Sequence, residues 1–142
     1  GAAVDGYAAD ITRTLFSGKP AAQLAEIYEI VLKAQEAALA AIRPGASGVD
    51  VDGVARRIIT EAGYGDCFGH GLGHMLGLDV HDGPALSPRS AVILQEGMVV
   101  TVEPGIYIEG VGGVRIEDDV VVTADGCEIL TRSPKDLRIL EP

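Results

Sequence analysis

Residues 68 to 82 read Phe-Gly-His-Gly-Leu-Gly-His-Met-Leu-Gly-Leu-Asp-Val-His-Asp and hold all three histidines of the chain. This run constrains the fold more than any other. His70 and His74, four residues apart, would share one face of a helix and could clasp a single ion there. Glycines at 69, 71, 73 and 77 oppose that helix, at about 1 kcal/mol each relative to alanine. Extended backbone is the expectation instead. In a strand the two side chains would point to one face about 13 Å apart, too far to ligate the same ion. One of them is therefore expected as a ligand and the other as a residue lining the same site.

The flanking sequence changes character on either side of this run. Tyr7 to Phe16 alternates, with Asp10, Thr12 and Thr14 on one face, and reads as one strand. Ser17-Gly18-Lys19-Pro20 breaks it, and Pro20 suits the first turn of a helix. Leu24, Ile27, Tyr28, Val31, Leu32, Leu39 and Ile42 then repeat at helical spacing until Pro44-Gly45. A second helix begins at a cap, Ser47 or Asp50, with Val51, Val54, Ala55, Ile58, Ile59 and Ala62 on its buried face and Gly63 as its stop. Beyond Tyr64 the apolar runs are short. Val99–Val102, Ile106–Ile108, Val114–Ile116 and Val120–Val122 are the expected strands, in an antiparallel arrangement. Two helices followed by a series of strands give an α+β fold. No repeat, linker or low-complexity stretch marks an internal boundary, so the 142 residues are read as one unit.

Charge narrows the function. A net charge of −10 opposes a nucleic-acid partner, which needs clustered Lys and Arg. No apolar run approaches the roughly 18 residues of a membrane helix. Cys67 and Cys127 are too few and too isolated for a disulfide framework, and reduced thiols in the cytoplasm are the expectation. Glu103 and Glu117 interrupt otherwise apolar strands, where an ionised carboxylate needs a cation or several donors. Arg115 offers Glu117 an ordinary ion pair as one answer. The other is a metal: Asp10, His74, Glu103 and Glu117 form an oxygen-rich set with one nitrogen, suited to Mn²⁺, with Co²⁺, Fe²⁺ or Zn²⁺ as alternatives.

Four segments carry a resemblance. Asp10-Ile11-Thr12-Arg13-Thr14, His70 to His74 with Gly77 to Asp82, Val102 to Tyr107, and Gly113 to Asp119 stand in order along the chain. Together they resemble the pita-bread metallopeptidases, and within them aminopeptidase P and Xaa-Pro dipeptidase (prolidase). The likeness runs from Gly1 to about Asp125. It implies a curved, mostly antiparallel sheet with two helices packed on it. It also implies two divalent ions bridged by Asp10 and Glu117, with His74 and Glu103 completing one shell. Glu103 would in addition be the general base toward a metal-bound water. His81 would stabilise the oxyanion or the leaving proline nitrogen, His70 would line the proline side, and Arg115 would orient a carboxylate ligand.

The expected activity is hydrolysis of Xaa-Pro bonds in peptides or dipeptides with proline at the second position, by a homo-oligomeric parent. The family places a further aspartate just ahead of Gly1, in an Asp-x-Gly-Ala segment. The chain is accordingly expected to be the C-terminal portion of a single catalytic domain, with partial metal occupancy and impaired activity by itself. Three other readings stand beside this one: a non-catalytic binding module of the same fold, a truncated inactive fragment, and creatinase-like C–N hydrolysis without metal. The last is disfavoured by the retention of Asp10, Glu103 and Glu117.

Overall fold

Alanine-rich sequence between two breakers produces the longest element of the computed structural model, which describes residues 1–141. Helix α1 (Ala22–Ala41) buries Ile27, Tyr28, Val31, Ala34, Gln35, Ala38 and Leu39, a stripe at the expected spacing. It starts two residues beyond Pro20, which lies outside the first turn. Helix α2 (Gly48–Glu61) begins at Ser47, whose hydroxyl accepts from the Asp50 amide at 3.1 Å and donates to the Asp50 carboxylate at 2.7 Å. Both candidate caps are thus used, one as the cap and one as its partner. The chain leaves α2 through Gly63 at φ 89°, a conformation glycine adopts without strain. The two helices pack on each other, and α1 also rests on the strands that follow.

Eleven short strands surround them: β1 (Ala2–Val4), β2 (Tyr7–Ala9), β3 (Leu15–Ser17), β4 (Gly73–His74), β5 (Ala85–Leu86), β6 (Val99–Val102), β7 (Gly105–Ile108), β8 (Gly112–Arg115), β9 (Asp118–Val122), β10 (Cys127–Ile129) and β11 (Arg138–Leu140). The central sheet has the order β10-β9-β6, all antiparallel, with Val99 opposite Val121 and Val102 opposite Asp118. The pairs β1–β2, β4–β5 and β7–β8 are antiparallel too, whereas β11 runs parallel to β3. Val100, Val102, Ile116 and Val120 are fully buried and join the helix stripes in one core.

The segment from Tyr7 to Phe16 departs from the expected single strand. It pairs at both ends but opens between Asp10 and Thr14, where only Thr12 makes a bridge, to Glu117. The reason is a competing set of donors and acceptors. The Asp10 amide donates to the Asp119 carboxylate at 2.9 Å instead of to a neighbouring strand. The Thr12 carbonyl accepts from both the Glu117 amide and the Arg13 guanidinium. Side chains have replaced part of the ladder.

Close backbone approach joins the glycine-rich run to the sheet. Glu103 donates its amide to the Leu72 carbonyl at 2.8 Å, and β4 lies against β6. A Cβ on Gly73 would stand 1.9 Å from the Thr101 carbonyl oxygen, so no larger residue fits without moving β6. At Gly69 a Cβ would meet nothing within 4 Å. Gly73→Ala is therefore expected to destabilise the protein by about 1–3 kcal/mol or more, while Gly69→Ala stays within about 0.5 kcal/mol of the parent. Urea unfolding of the two variants checks this, and equal midpoints would contradict it.

Candidate metal centre

The termini of four strands meet at one place. Asp10 leaves β2, His74 closes β4, and Glu117 immediately precedes β9. One donor atom from each of Asp10, His74 and Glu117 lies within 4.8 Å of the others. Glu103, just past the end of β6, brings Oε1 to 3.4 Å from His74 Nε2. The sequence-based ligand candidates are therefore neighbours in space although residues 10 and 117 are far apart in the chain.

Threonine hydroxyls hold the two glutamates. Thr12 donates from Oγ1 to Glu117 Oε2. Thr101 donates to Glu103 Oε1 at 3.2 Å and accepts from the His74 amide at 3.0 Å. Arg115 donates from Nε to Thr12 Oγ1 at 2.9 Å and stands 4.0 Å from Glu103 Oε2. Thr12 was visible in the sequence as part of the polar face shared with Asp10. Thr101 was not, because it sits inside an apolar run.

Crowding of like charges shows in the carboxyl groups. Burial, reinforced for Glu117 by the nearby Glu103 and Asp10, pushes the Glu103 and Glu117 carboxyls above the usual range. Asp119 is pushed up to about 6, mainly by burial, with Glu117 and Asp10 adding to it. Its Oδ2 accepts from the Asp10 amide, and its Oδ1 is a buried oxygen with no hydrogen-bond partner among the described residues. Asp119 was part of a sequence motif without being assigned a role. A buried acidic cluster with one imidazole and an unsatisfied oxygen is chemically matched to divalent cations, which supply the positive charge that it lacks.

Asp118 next door behaves in the opposite way. Burial alone would raise its pKa, but Lys135, Thr131, Arg13 and Gln35 all donate to it and hold it below the usual range. Arg13 and Thr131 reach Oδ1 at 2.7 and 2.6 Å, and Gln35 and Lys135 reach Oδ2 at 2.8 Å each. Arg13 also donates to the Glu117 carbonyl, so the backbone carrying that candidate ligand is anchored from behind.

The remaining candidate residues line an open recess of about 340 Å³ beside the acidic cluster, walled by His70, His74, His81, Glu103 and Arg115. The His81 ring lies 4.1 Å from that of His74. His70 turns away from both: its Nε2 is 2.9 Å from the Tyr107 hydroxyl, and its ring meets Phe68 edge-on at 5.1 Å. His74 thus faces the acidic groups and His70 the recess wall. The Tyr107 hydroxyl also accepts from Arg115 at 3.4 Å, linking that wall to the arginine.

Comparison with known proteins follows the same lines. The sequence profile of Metallopeptidase family M24 matches residues 1–124. An Xaa-Pro dipeptidase of Pyrococcus furiosus is 50% identical over 137 residues, which are 96% of this chain and 39% of that protein. The solved Xaa-Pro dipeptidase from Bacillus anthracis superposes with a TM-score of 0.94 at 54% identity, covering 95% of this chain and 38% of that one. The X-Pro aminopeptidase from Thermotoga maritima gives 0.92 at 51% identity, with 95% and 38% covered. The chain spans about 40% of the length of the curated relatives it matches. With a family profile over most of its length, close sequence relatives and a shared architecture, this chain belongs to Metallopeptidase family M24 and has part of its pita-bread fold.

Proposed function

We propose that the protein carrying this chain is a metal-dependent exopeptidase that hydrolyses the Xaa-Pro bond of dipeptides or of peptide N-termini. The observation that carries this reading is the convergence of Asp10, His74 and Glu117 within 4.8 Å, with Glu103 beside His74, at the edge of an open recess. Residues 1–142 are proposed to be the C-terminal portion of one catalytic domain. Asp10, His74, Glu103 and Glu117 would hold the ions, with Asp10 and Glu117 each offering two carboxylate oxygens. Oxygen-rich ligation favours Mn²⁺, ahead of Co²⁺, Zn²⁺ or Fe²⁺. Such ions, when bound, polarise a carbonyl oxygen and make a coordinated water acidic near neutral pH.

The chain's own residues do the rest. Glu103, its pKa raised by burial, is poised to take a proton from the attacking water and return it to the leaving nitrogen. Proline's imide nitrogen carries no hydrogen, so that returned proton is what lets it depart as an amine. His81, exposed beside His74, is placed to donate toward the developing oxyanion or the proline nitrogen. His70 and Tyr107 form the wall against which the proline ring would sit, and Arg115 orients Glu103 through its 4.0 Å approach. A non-catalytic binding module is the weaker reading, because every candidate ligand and proton-transfer position seen here retains a functional side chain.

The acidic composition opposes a nucleic-acid partner. Among the described residues no helix is long and apolar enough to cross a membrane. We propose a cytoplasmic, homo-oligomeric enzyme.

Two outcomes test this reading. Glu103→Gln is expected to lower turnover of an Ala-Pro substrate by at least about 100-fold. His81→Ala should reduce kcat by a larger factor than it raises KM, since its contact strengthens in the transition state. Steady-state kinetics on the metal-loaded protein decide both, and near-normal kcat in either variant contradicts the role given to that residue.

Stability should report the same charges. With its folded pKa near 6, Asp119 contributes stability that is complete below about pH 4 and lost as pH rises through about 6. Glu103 and Glu117 act in the same direction. In chelator, the melting temperature is expected to fall between about pH 5 and pH 7. Asp119→Asn should shrink that fall, and saturating Mn²⁺ should offset it. Thermal melts at the two pH values check this, and a metal-free protein that gains stability over the interval would contradict it.

A further inference from the structure

Helix α2 carries an ion pair between a buried carboxylate and a half-buried arginine, which faces the recess wall from the outside. Asp52 is 1% exposed, and Arg56, one turn later, donates from Nε and Nη2 to its two oxygens at 2.8 and 2.9 Å. The pair does not stop at itself. Arg56 Nη1 donates to the Phe68 carbonyl at 3.0 Å, and Nη2 donates to the His70 carbonyl at 2.7 Å. Asp52 Oδ1 accepts from the Leu72 amide at 3.0 Å. The guanidinium also lies over the Phe68 ring, 4.2 Å from its centre.

Alternate backbone groups from Phe68 to Leu72 are thereby bonded to one salt bridge on a rigid helix. This stretch has no strand partner of its own, since the regular pairing starts only at Gly73. Its glycines at 69 and 71 leave it conformationally free, so something else must set its course. The fork of Arg56 and the carboxylate of Asp52 do so, together with the Glu103 amide on the Leu72 carbonyl and the burial of Phe68 and Leu72 in the core. A lysine could keep the charge but not the planar fork that spans two carbonyls.

We propose that Asp52 and Arg56 are positioning residues for His70. They hold the backbone on both sides of it so that its ring meets Tyr107 and fixes the proline-side wall of the recess. The inference rests on the reading of His70 as a substrate-lining residue, and the test separates the two. Leaving the buried Asp52 carboxylate without its partner endangers folding, so the variants are Arg56→Lys and Asp52→Asn.

In the metal-loaded protein, either variant is expected to raise KM for an Xaa-Pro dipeptide on the order of tenfold. The kcat and the metal content should stay near the parent values. Placed in a His70→Ala background, the same substitutions should add less than about twofold, because their effect passes through that ring. Equal effects in both backgrounds would overturn the proposal, as would a loss confined to melting temperature. NMR of the histidine rings gives a readout that needs no turnover. The His70 signal, assigned with His70→Ala, should shift in Arg56→Lys while those of His74 and His81 stay. An unmoved His70 signal overturns the proposal even if the parent hydrolyses Xaa-Pro bonds. A parent that does not hydrolyse them, with the His70 signal moved, overturns the enzymatic reading and leaves the positioning role supported.

Discussion

Like charges brought together out of water are the constraint on which this structure turns. Burial, with neighbouring carboxylates adding to it, pushes Glu103, Glu117 and Asp119 toward the neutral form. Protein cations relieve this only in part. Arg13 and Lys135 are committed to Asp118, Arg56 is committed to Asp52, and Arg115 approaches Glu103 only to 4.0 Å. A fold that gathers acids and directs its cations elsewhere leaves positive charge to be supplied from outside. Divalent ions meet that requirement with the donor types present.

The architecture serves this arrangement through strand ends. Glu103 follows β6, Glu117 precedes β9, and the two strands pair so that Val102 faces Asp118. The candidate ligands therefore sit at one end of the central sheet, where ladder bonding stops and side chains can converge. Asp118 then locks that end, because four donors from three separate parts of the chain meet on one buried carboxylate. Gly73 lets β4 come close enough for Thr101 to bond both the His74 amide and Glu103. Precision at the site thus comes from backbone packing and from the threonine hydroxyls that orient Glu103 and Glu117.

Much of this was legible in the sequence where the signal is local. The α2 cap is written in Ser47 and Asp50, and the α1 stripe follows from spacing between Leu24 and Ile42. The glycine-rich run led to different expectations for His70 and His74, and their rings do meet different neighbours. The middle of Tyr7–Phe16 was not legible, since its backbone bonds go to Asp119 and Glu117, over a hundred residues away in the chain. Asp52 was hidden on a helix face scored only for apolar residues, and Gln35 likewise, although both are buried by polar partners. Periodicity finds what faces a core. It cannot find a polar group whose partner lies in another part of the chain.

The account stands on the acidic cluster holding paired divalent ions, and crystals of the protein soaked in Mn²⁺ test that directly. Anomalous scattering at the manganese edge should place two ions between Asp10, His74, Glu103 and Glu117. Both peaks should weaken together in Glu117→Gln, which removes a bridging oxygen charge. Ions bound elsewhere, or a pair that keeps full occupancy in that variant, would contradict the account.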